Sequence, residues 1–164
     1  MDALTLLRRQ ALATDDLLAQ VFASVTTAQG AWRLPGGTAN AIAPTFVHAY
    51  HPEDRFVSEQ GGRKTLFDLA DWGARLGFDP AAPWAESASL DPMLCRDYAR
   101  AVRAATVEYL TALEPATLGH EIATPRGPLV LGERLSLVLV IHKMTHLGEI
   151  AALLGCQGVR GFPF

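Results

Sequence analysis

The sequence predicts an all-α protein, a four-helix bundle formed by a single domain over residues 1–164. Of its 164 residues, 49% are hydrophobic and 19% are charged, with alanine and leucine prominent, which is typical of a folded helical protein. Apolar residues recur at helical spacing in four long segments, and one long and one medium connection separate them. A chain of this length can bury a sizeable core but is short for two domains.

The first helix is predicted over residues 2–27. Its apolar positions repeat close to every 3.6 residues, as in an amphipathic helix that buries one face. Gly30 and the LPGG stretch at 34–37 are expected to end it. Thr38 is then a suitable N-cap for the second helix, since its hydroxyl can accept a hydrogen bond from a backbone N–H.

The second helix is predicted over residues 38–60 and contains Pro52. A proline inside a helix removes one hydrogen bond and clashes with the preceding turn, at a cost of about 3 kcal/mol, so we expect a kink or a break near residues 49–51. Residues 61–92 form a long connection rich in glycine and proline. Residues 66–76 within it could form a short helix.

The third helix begins with a clear signal. Asp91 is a suitable N-cap, Pro92 is favoured as the first helical residue, and the helix should end near Leu113. Between residues 118 and 132, β-branched residues mix with glycine and proline. That composition predicts extended chain or a small hairpin.

The fourth helix is predicted over residues 133–154, with Gly155 as a left-handed C-terminal residue. It carries His142 and His146 on a strongly apolar face. Residues four apart lie on one side of a helix, separated by about 6 Å along its axis, so both imidazoles can point to the same spot. The pair predicts a metal ion, although two hydrogen-bonded histidines would have the same spacing.

A third ligand must come from another part of the chain. His48 and His51 are the leading candidates, and His120 is a weaker one. Three histidines suit Zn²⁺ in a catalytic setting, where a fourth position stays open. Imidazole discriminates poorly among metals, so Ni²⁺, Fe²⁺ and Co²⁺ fit the same set.

Two neighbours of the histidine pair limit its chemistry. Lys143 stands where a zinc peptidase of the HExxH type has its glutamate, which argues against peptide hydrolysis. Glu149 follows His146 by three residues, so it could orient that imidazole or serve as a fourth ligand. It could equally be solvated or paired with an arginine.

Charge and composition limit the partners and the location. The net charge of −3 gives no basic surface for nucleic acid. The first residues lack the pattern of a signal peptide, and the apolar run 135–141 is far shorter than the roughly 18 residues of a membrane span. Cys95 and Cys156 form no CxxC pair and are expected to be reduced and buried. We therefore expect a soluble, cytoplasmic protein that binds neither nucleic acid nor a membrane.

Four cations could meet an anionic ligand, although isolated charges on helices are mostly solvated. They are Arg55, Arg103, Lys143 and Arg160.

The C-terminal motif resembles the last helix and tail of the DinB-like superfamily. The resemblance rests on the run HKMTHLGEI at 142–150 and on Leu153, Gly158, Gly161 and the terminal Phe162-Pro163-Phe164. His48, five residues before Glu53-Asp54, is similar to the second-helix histidine of that family. The segment TPRGPLVLGERL, before the fourth helix, is also similar in character. The resemblance covers the chain from about residue 38 to the end.

The resemblance implies a four-helix bundle with a long crossover connection and a metal held by His48, His142 and His146. Pro52 lies where the family usually has an uninterrupted helix, so His51 remains a rival of His48. The family commonly forms homodimers. Some of its members are transferases or isomerases that use low-molecular-weight thiols such as bacillithiol or mycothiol.

These observations support three hypotheses. The first is a metal-dependent thiol S-transferase, in which Zn or Ni, or alternatively Fe, coordinates a small thiol and lowers its pKa. The second is a hydrolase in which a metal-activated water attacks a small ester or amide. The third is a non-catalytic, dimeric stress-response protein that binds a metal or a small ligand. The sequence assigns no catalytic side chain beyond the metal ligands.

Overall fold

The computed structural model describes residues 1–82, 89–124 and 127–162, and it confirms the all-α class. The elements, in chain order, are α1 (Ala3–Phe22), α2 (Thr27–Ala31), α3 (Ile42–Gln60), α4 (Leu66–Leu69), α5 (Trp72–Leu76), α6 (Pro92–Ala112), a 3₁₀ helix (Pro115–Gly119), β1 (Glu121–Ile122), β2 (Leu129–Val130) and α7 (Leu131–Cys156). The long helices α1, α3, α6 and α7 form the bundle.

The first helix is shorter than predicted, because residues 23–26 form a turn that separates it from a second short helix. Asp2 caps α1 by accepting a hydrogen bond from the backbone N–H of Thr5 at 2.9 Å. The helix ends at Phe22 rather than near residue 27. Thr26 and Gln29 then form a reciprocal capping box at the start of α2, in which each side chain accepts from the other's backbone N–H. The two caps stabilise a new helix start where the apolar pattern alone suggested continuity.

The predicted start of α3 at Thr38 is wrong. The helix begins at Ile42 with Ala41 as its N-cap, and no side chain caps it. The Thr45 hydroxyl donates to the Ala41 carbonyl at 2.8 Å. Pro44 lies in the first turn, where a missing N–H removes no helical hydrogen bond. The position of this proline is therefore compatible with the later start.

The helix is not broken at Pro52: of the kink or break expected near residues 49–51, the break is wrong. It continues to Gln60, although Pro52 has no N–H to donate to the carbonyl of His48, four residues earlier. Tyr50 on one side of the proline and Val57 on the other are both buried in the core. Tertiary packing on both sides thus holds the helix together across the missing hydrogen bond.

The long connection is anchored to the bundle by a buried carboxylate. Its predicted helical stretch is divided into α4 and α5 at Asp71, which has a φ of +50°. Asp54 on α3 accepts hydrogen bonds from the backbone N–H groups of Leu66 and Phe67, both at 2.8 Å, and from the Tyr98 hydroxyl at 3.1 Å. Asp54 therefore joins the start of α4 to both α3 and α6.

Two of the remaining predictions are confirmed. The Asp91 carboxylate accepts the backbone N–H of Met93 at 2.8 Å, and Pro92 is the first residue of α6. Residues 118–132 contain a small hairpin, in which β1 and β2 pair antiparallel with Glu121 opposite Val130. The hairpin leads directly into α7.

The end of α7 differs from the prediction. The left-handed residue is Gly158, with a φ of +73°, whereas Gly155 is still helical. The N–H of Gly158 donates to the Gly155 carbonyl and that of Val159 to the Leu154 carbonyl, each at 3.0 Å. This pair of bonds is the Schellman motif, which satisfies the last carbonyls of the helix.

The C-terminal tail folds back onto α7. A Cβ atom at Gly161 would lie only 2.4 Å from the carbonyl oxygen of Ala151, so only glycine fits this contact. Pro163 and Phe164, which contributed to the family resemblance, lie outside the described residues.

α7 is long and apolar enough to cross a membrane by length and composition alone, with a mean hydropathy of 1.5. In this structure it packs against α1 and α3, and 44% of the apolar window is buried. Its apolar character is consistent with the core helix of a soluble bundle.

Two apolar clusters form the core and reveal the directions of the helices. The first contains the C-terminal part of α1, the N-terminal parts of α3 and α6, and the C-terminal part of α7. The second contains the opposite ends of the same four helices. Hence α1 and α7 run one way, and α3 and α6 run the other. Because α3 and α6 are parallel, the connection between them must return along the bundle, as the predicted crossover requires.

A buried polar layer separates the two clusters along every helix. We use "polar layer" for Asp15, Glu53, Thr106 and Lys143, one residue from each of the four long helices. Lys143 is 1% exposed, so the expectation that it is solvated is wrong. Its ammonium forms ion pairs with Asp15 and Glu53 and lies 4.3 Å from the centre of the Tyr50 ring.

Thr106 completes the layer. Its hydroxyl donates to Oε1 of Glu53 at 2.6 Å, while Oε2 has the Lys143 ion pair but no directional hydrogen bond. Burial raises the pKa of Glu53, and the Lys143 ammonium opposes that rise. Removing one member of such a buried ion pair leaves an uncompensated charge, which is strongly destabilising.

Lys143→Met should lower the free energy of unfolding by about 3–5 kcal/mol, because Asp15 and Glu53 would lose their shared cation. Urea denaturation at pH 7 measures the loss. The control is Lys64→Met, since Lys64 is the other lysine of the chain and is exposed. Equal unfolding midpoints for the two variants would contradict the stabilising role of the polar layer.

Candidate metal centre

Three histidines from two helices meet at one point. We call His48 of α3 and His142 and His146 of α7 the histidine cluster. Each offers one ring nitrogen, and the three nitrogens lie within 4.8 Å of one another. The ring centroids are 5.1 Å apart for His48 and His142, 5.0 Å for His48 and His146, and 4.6 Å for His142 and His146. All three side chains are half-buried.

A π-helical turn precedes the two histidines of α7. It spans Leu137–Ile141, and the N–H of His142 donates to the Leu137 carbonyl, five residues earlier. Such wide turns are rare in proteins, but a large share of them lies at functional sites. The extra residue in this turn changes the direction, around the helix axis, in which the later side chains project. Both histidines are among these side chains. The apolar sequence of this segment gave no sign of the turn.

Pro52 also affects the cluster, through the backbone of α3. Because proline has no N–H, Pro52 cannot donate a hydrogen bond to the His48 carbonyl, four residues earlier. The Nε2 atom of His142 lies 3.4 Å from it. A carbonyl can only accept, so this contact favours the tautomer in which Nε2 carries the proton and Nδ1 has the lone pair.

Glu149 orients the third histidine. Its Oε2 lies 3.0 Å from Nδ1 of His146, one turn earlier on α7. With the Nδ1 proton directed at the carboxylate, Nε2 of His146 keeps a lone pair for a metal. The geometry agrees with an orienting role for Glu149 and not with the solvated alternative.

The structure places His48 beside the two histidines of α7, and it does not place His51 or His120 there. The ring of His51 packs edge-on against Phe67, with 4.9 Å between centroids. His120 is exposed at the end of the 3₁₀ helix. Neither belongs to the group of three nitrogens.

Two members of the histidine cluster, His48 and His142, are held in their neutral form. Burial, reinforced by the neighbouring histidines, lowers the pKa of His48 to about 3. Burial and His146 likewise lower the pKa of His142 from its usual 6.5. Neutral imidazole is the form that coordinates a metal, so neither of these two side chains has to lose a proton at pH 7.

The donor set fits a divalent metal ion. Tetrahedral zinc with Zn–N bonds of about 2.0–2.1 Å places its ligand nitrogens about 3.3 Å apart, which small side-chain movements from the present separations would reach. The three histidines supply three ligands, one ring nitrogen each. A fourth coordination position would therefore be available to another molecule, as in catalytic rather than closed structural sites.

Neither cysteine supplies a thiolate to this centre. Cys95 is buried as expected, and burial raises its pKa to about 12. Cys156 is exposed, contrary to the expectation. It lies ten residues beyond His146 on α7, which is about 15 Å along the helix axis.

A groove of about 260 Å³ lies between α3, the hairpin and α7. It is lined by His51 and Arg55 of α3 and by Arg134 of α7, among other residues. Sequence reasoning did not select Arg134. Its position eight residues before His142, about two helical turns, was a signal that could have identified it.

Comparisons with known proteins agree with this fold. The sequence profile of the DinB superfamily matches residues 10–150. The structure is similar to one described as "Crystal structure of the conserved protein of locus from Enterococcus faecalis", with a TM-score of 0.75, 17% sequence identity, and coverage of 94% of this chain and 99% of the other. The comparison with curated proteins found no match.

The metal-free protein should lose thermal stability as the pH falls from 7 to 5. The folded-state pKa of His48 is about 3, below its usual 6.5, so the unfolded chain binds more protons throughout this range. The stabilising contribution is complete above pH 6.5 and decreases below it. Calorimetry of the native chain and of His48→Gln measures the effect.

The slope of melting temperature against pH should be smaller in His48→Gln. His120→Gln, which replaces an exposed histidine, is the control and should keep the native slope. If the His48 variant had that slope too, its imidazole would not be held neutral by the fold.

Proposed function

Because the chain belongs to the DinB superfamily, we propose that it is a metal-dependent enzyme that transfers a small thiol to an electrophile. The observation that carries this proposal is the meeting of His48, His142 and His146 at one half-buried point. Three imidazole nitrogen donors favour Zn²⁺ or Ni²⁺, and Fe²⁺ is also compatible. When bound, such a cation lowers the pKa of a coordinated thiol, and the thiolate is the competent nucleophile.

The chain's own residues prepare this site. Glu149 accepts a hydrogen bond from Nδ1–H of His146 and so directs Nε2 toward the centre. The His142 ring contacts the His48 carbonyl, which limits rotation of that imidazole. Since neither cysteine is placed to serve as the nucleophile, the thiol should come from a separate small molecule.

Two further expectations remain predictions. The homodimer implied by the family resemblance would have an apolar surface available on α7, where Leu137, Ile141 and Met144 are 39%, 53% and 41% exposed. The mass of the protein in solution tests this. A cytoplasmic location agrees with two cysteines that form no disulfide.

The protein should bind about one divalent metal ion per chain, and His48→Gln should abolish stoichiometric binding because only two nitrogen ligands would remain. Metal analysis by mass spectrometry after incubation with Zn²⁺ or Ni²⁺ and desalting measures this. The matched control is His51→Gln, which removes the rival histidine three residues away. Loss of metal from the His51 variant, with retention in the His48 variant, would contradict the ligand assignment.

The metal-loaded protein should accelerate the reaction of a small thiol with 1-chloro-2,4-dinitrobenzene. In this reaction an S–C bond forms, the C–Cl bond breaks, chloride leaves with the electron pair, and the thiol proton passes to the buffer. We expect an absorbance-monitored rate at least tenfold above that of His146→Gln for one or more of cysteine, bacillithiol and mycothiol.

Equal rates for the native protein and His146→Gln with every thiol would overturn the transferase proposal. If metal binding were nevertheless intact, the non-catalytic binding protein would become the better account. The metal analysis and the rate measurement therefore separate the two hypotheses.

A further inference from the structure

The groove between α3, the hairpin and α7 carries a net positive charge. Arg55 is paired with Glu59, with 2.8 Å between Nε and Oε1. Arg134 has no carboxylate within ion-pair distance in the described part of the chain, and its guanidinium lies 5.6 Å from the centre of the Phe56 ring. The two arginines and one glutamate give the lining a net charge of +1 when His51 is neutral.

His51 is neutral at pH 7, because burial lowers its pKa despite the nearby carboxylates. It therefore adds no charge to the groove. The remaining walls include apolar surface from Phe56 and Ile122. An apolar pocket with a few convergent polar groups is the usual form of a small-molecule site.

The groove and the histidine cluster lie on the same two helices, α3 and α7. On α3, His51 and Pro52 follow His48 by one turn and line the groove. On α7, the charge of Arg134 is close enough to contribute to the electrostatics of His142. A ligand bound at Arg134 would therefore lie between the two helices that carry the histidines.

We propose that this groove binds the carboxylate of a small thiol, with Arg134 as its main partner and Arg55 as a second donor. A guanidinium presents paired N–H donors that match a carboxylate in a bidentate arrangement. One monoanionic carboxylate would balance the net charge of +1, whereas a phosphate dianion would not. The identification of the ligand as a thiol rests on the proposed function; the carboxylate site itself does not.

The first experiment tests the carboxylate site without a thiol. Sodium propionate is titrated into the full chain, with and without Zn²⁺, while the arginine Nε–H resonances are followed by ¹⁵N NMR. The Arg134 resonance should shift saturably, and Arg134→Gln should weaken binding at least tenfold. Arg9→Gln is the matched control, since Arg9 is an exposed arginine on α1.

No saturable shift, or equal affinities in the native protein and Arg134→Gln, would overturn the site. Inorganic phosphate binding at least tenfold more tightly than propionate would overturn its assignment to a carboxylate. Because this experiment does not depend on a metal, its failure is distinct from failure of the proposed function.

The second experiment compares 3-mercaptopropionate with 3-mercapto-1-propanol, a matched pair that differs in the carboxylate. Their dissociation constants are measured with the Co²⁺-loaded protein from the sulfur-to-cobalt absorption band. The carboxylate should bind about tenfold more tightly, and Arg134→Gln should reduce this ratio to near one while the alcohol's affinity stays unchanged. A ratio near one in the native protein would overturn the inference. If neither thiol gave the band while propionate still bound at Arg134, the carboxylate site would stand and the thiol-transfer function would fail.

Discussion

The ion pairs of Lys143 inside the bundle are the interaction on which the rest of the structure depends. Asp15, Glu53, Thr106 and Lys143 come from four different helices and meet between two apolar clusters. Apolar contacts would tolerate sliding of one helix along another by a turn. Buried charges would not, since each must keep its partner in low dielectric. The polar layer therefore fixes the axial register of the four helices.

That register places the histidine cluster. Lys143 follows His142 directly on α7, so one side chain points into the core while the other lies about 100° around the helix, toward the rim. Glu53 follows His48 by five residues on α3. The Lys143–Glu53 ion pair thus holds the two helices at the level where His48 meets His142 and His146. The ion pair that stabilises the bundle and the cluster of candidate metal ligands therefore join the same two helices, α3 and α7.

Departures from ideal helix geometry occur on both helices of this site. Pro52 interrupts the regular hydrogen bonds of α3, and the His48 carbonyl four residues before it contacts the His142 ring. The π turn Leu137–Ile141 ends immediately before His142. Both features lower the regularity of a helix, and the surrounding packed core maintains them. Local irregularity that persists against its cost is typical of functional positions.

The sequence by itself determined what depends on neighbours along the chain: the Asp91-Pro92 start of α6, the hairpin before α7, and the pairing of His142 with His146 on one helical face. Only the tertiary structure decided what depends on contacts between distant segments. It placed His48 rather than His51 beside His142 and His146, buried Lys143 between two carboxylates, and made Asp54 the anchor of the long connection. Periodicity specifies which face of a helix is buried, but not which residue of another helix lies opposite it.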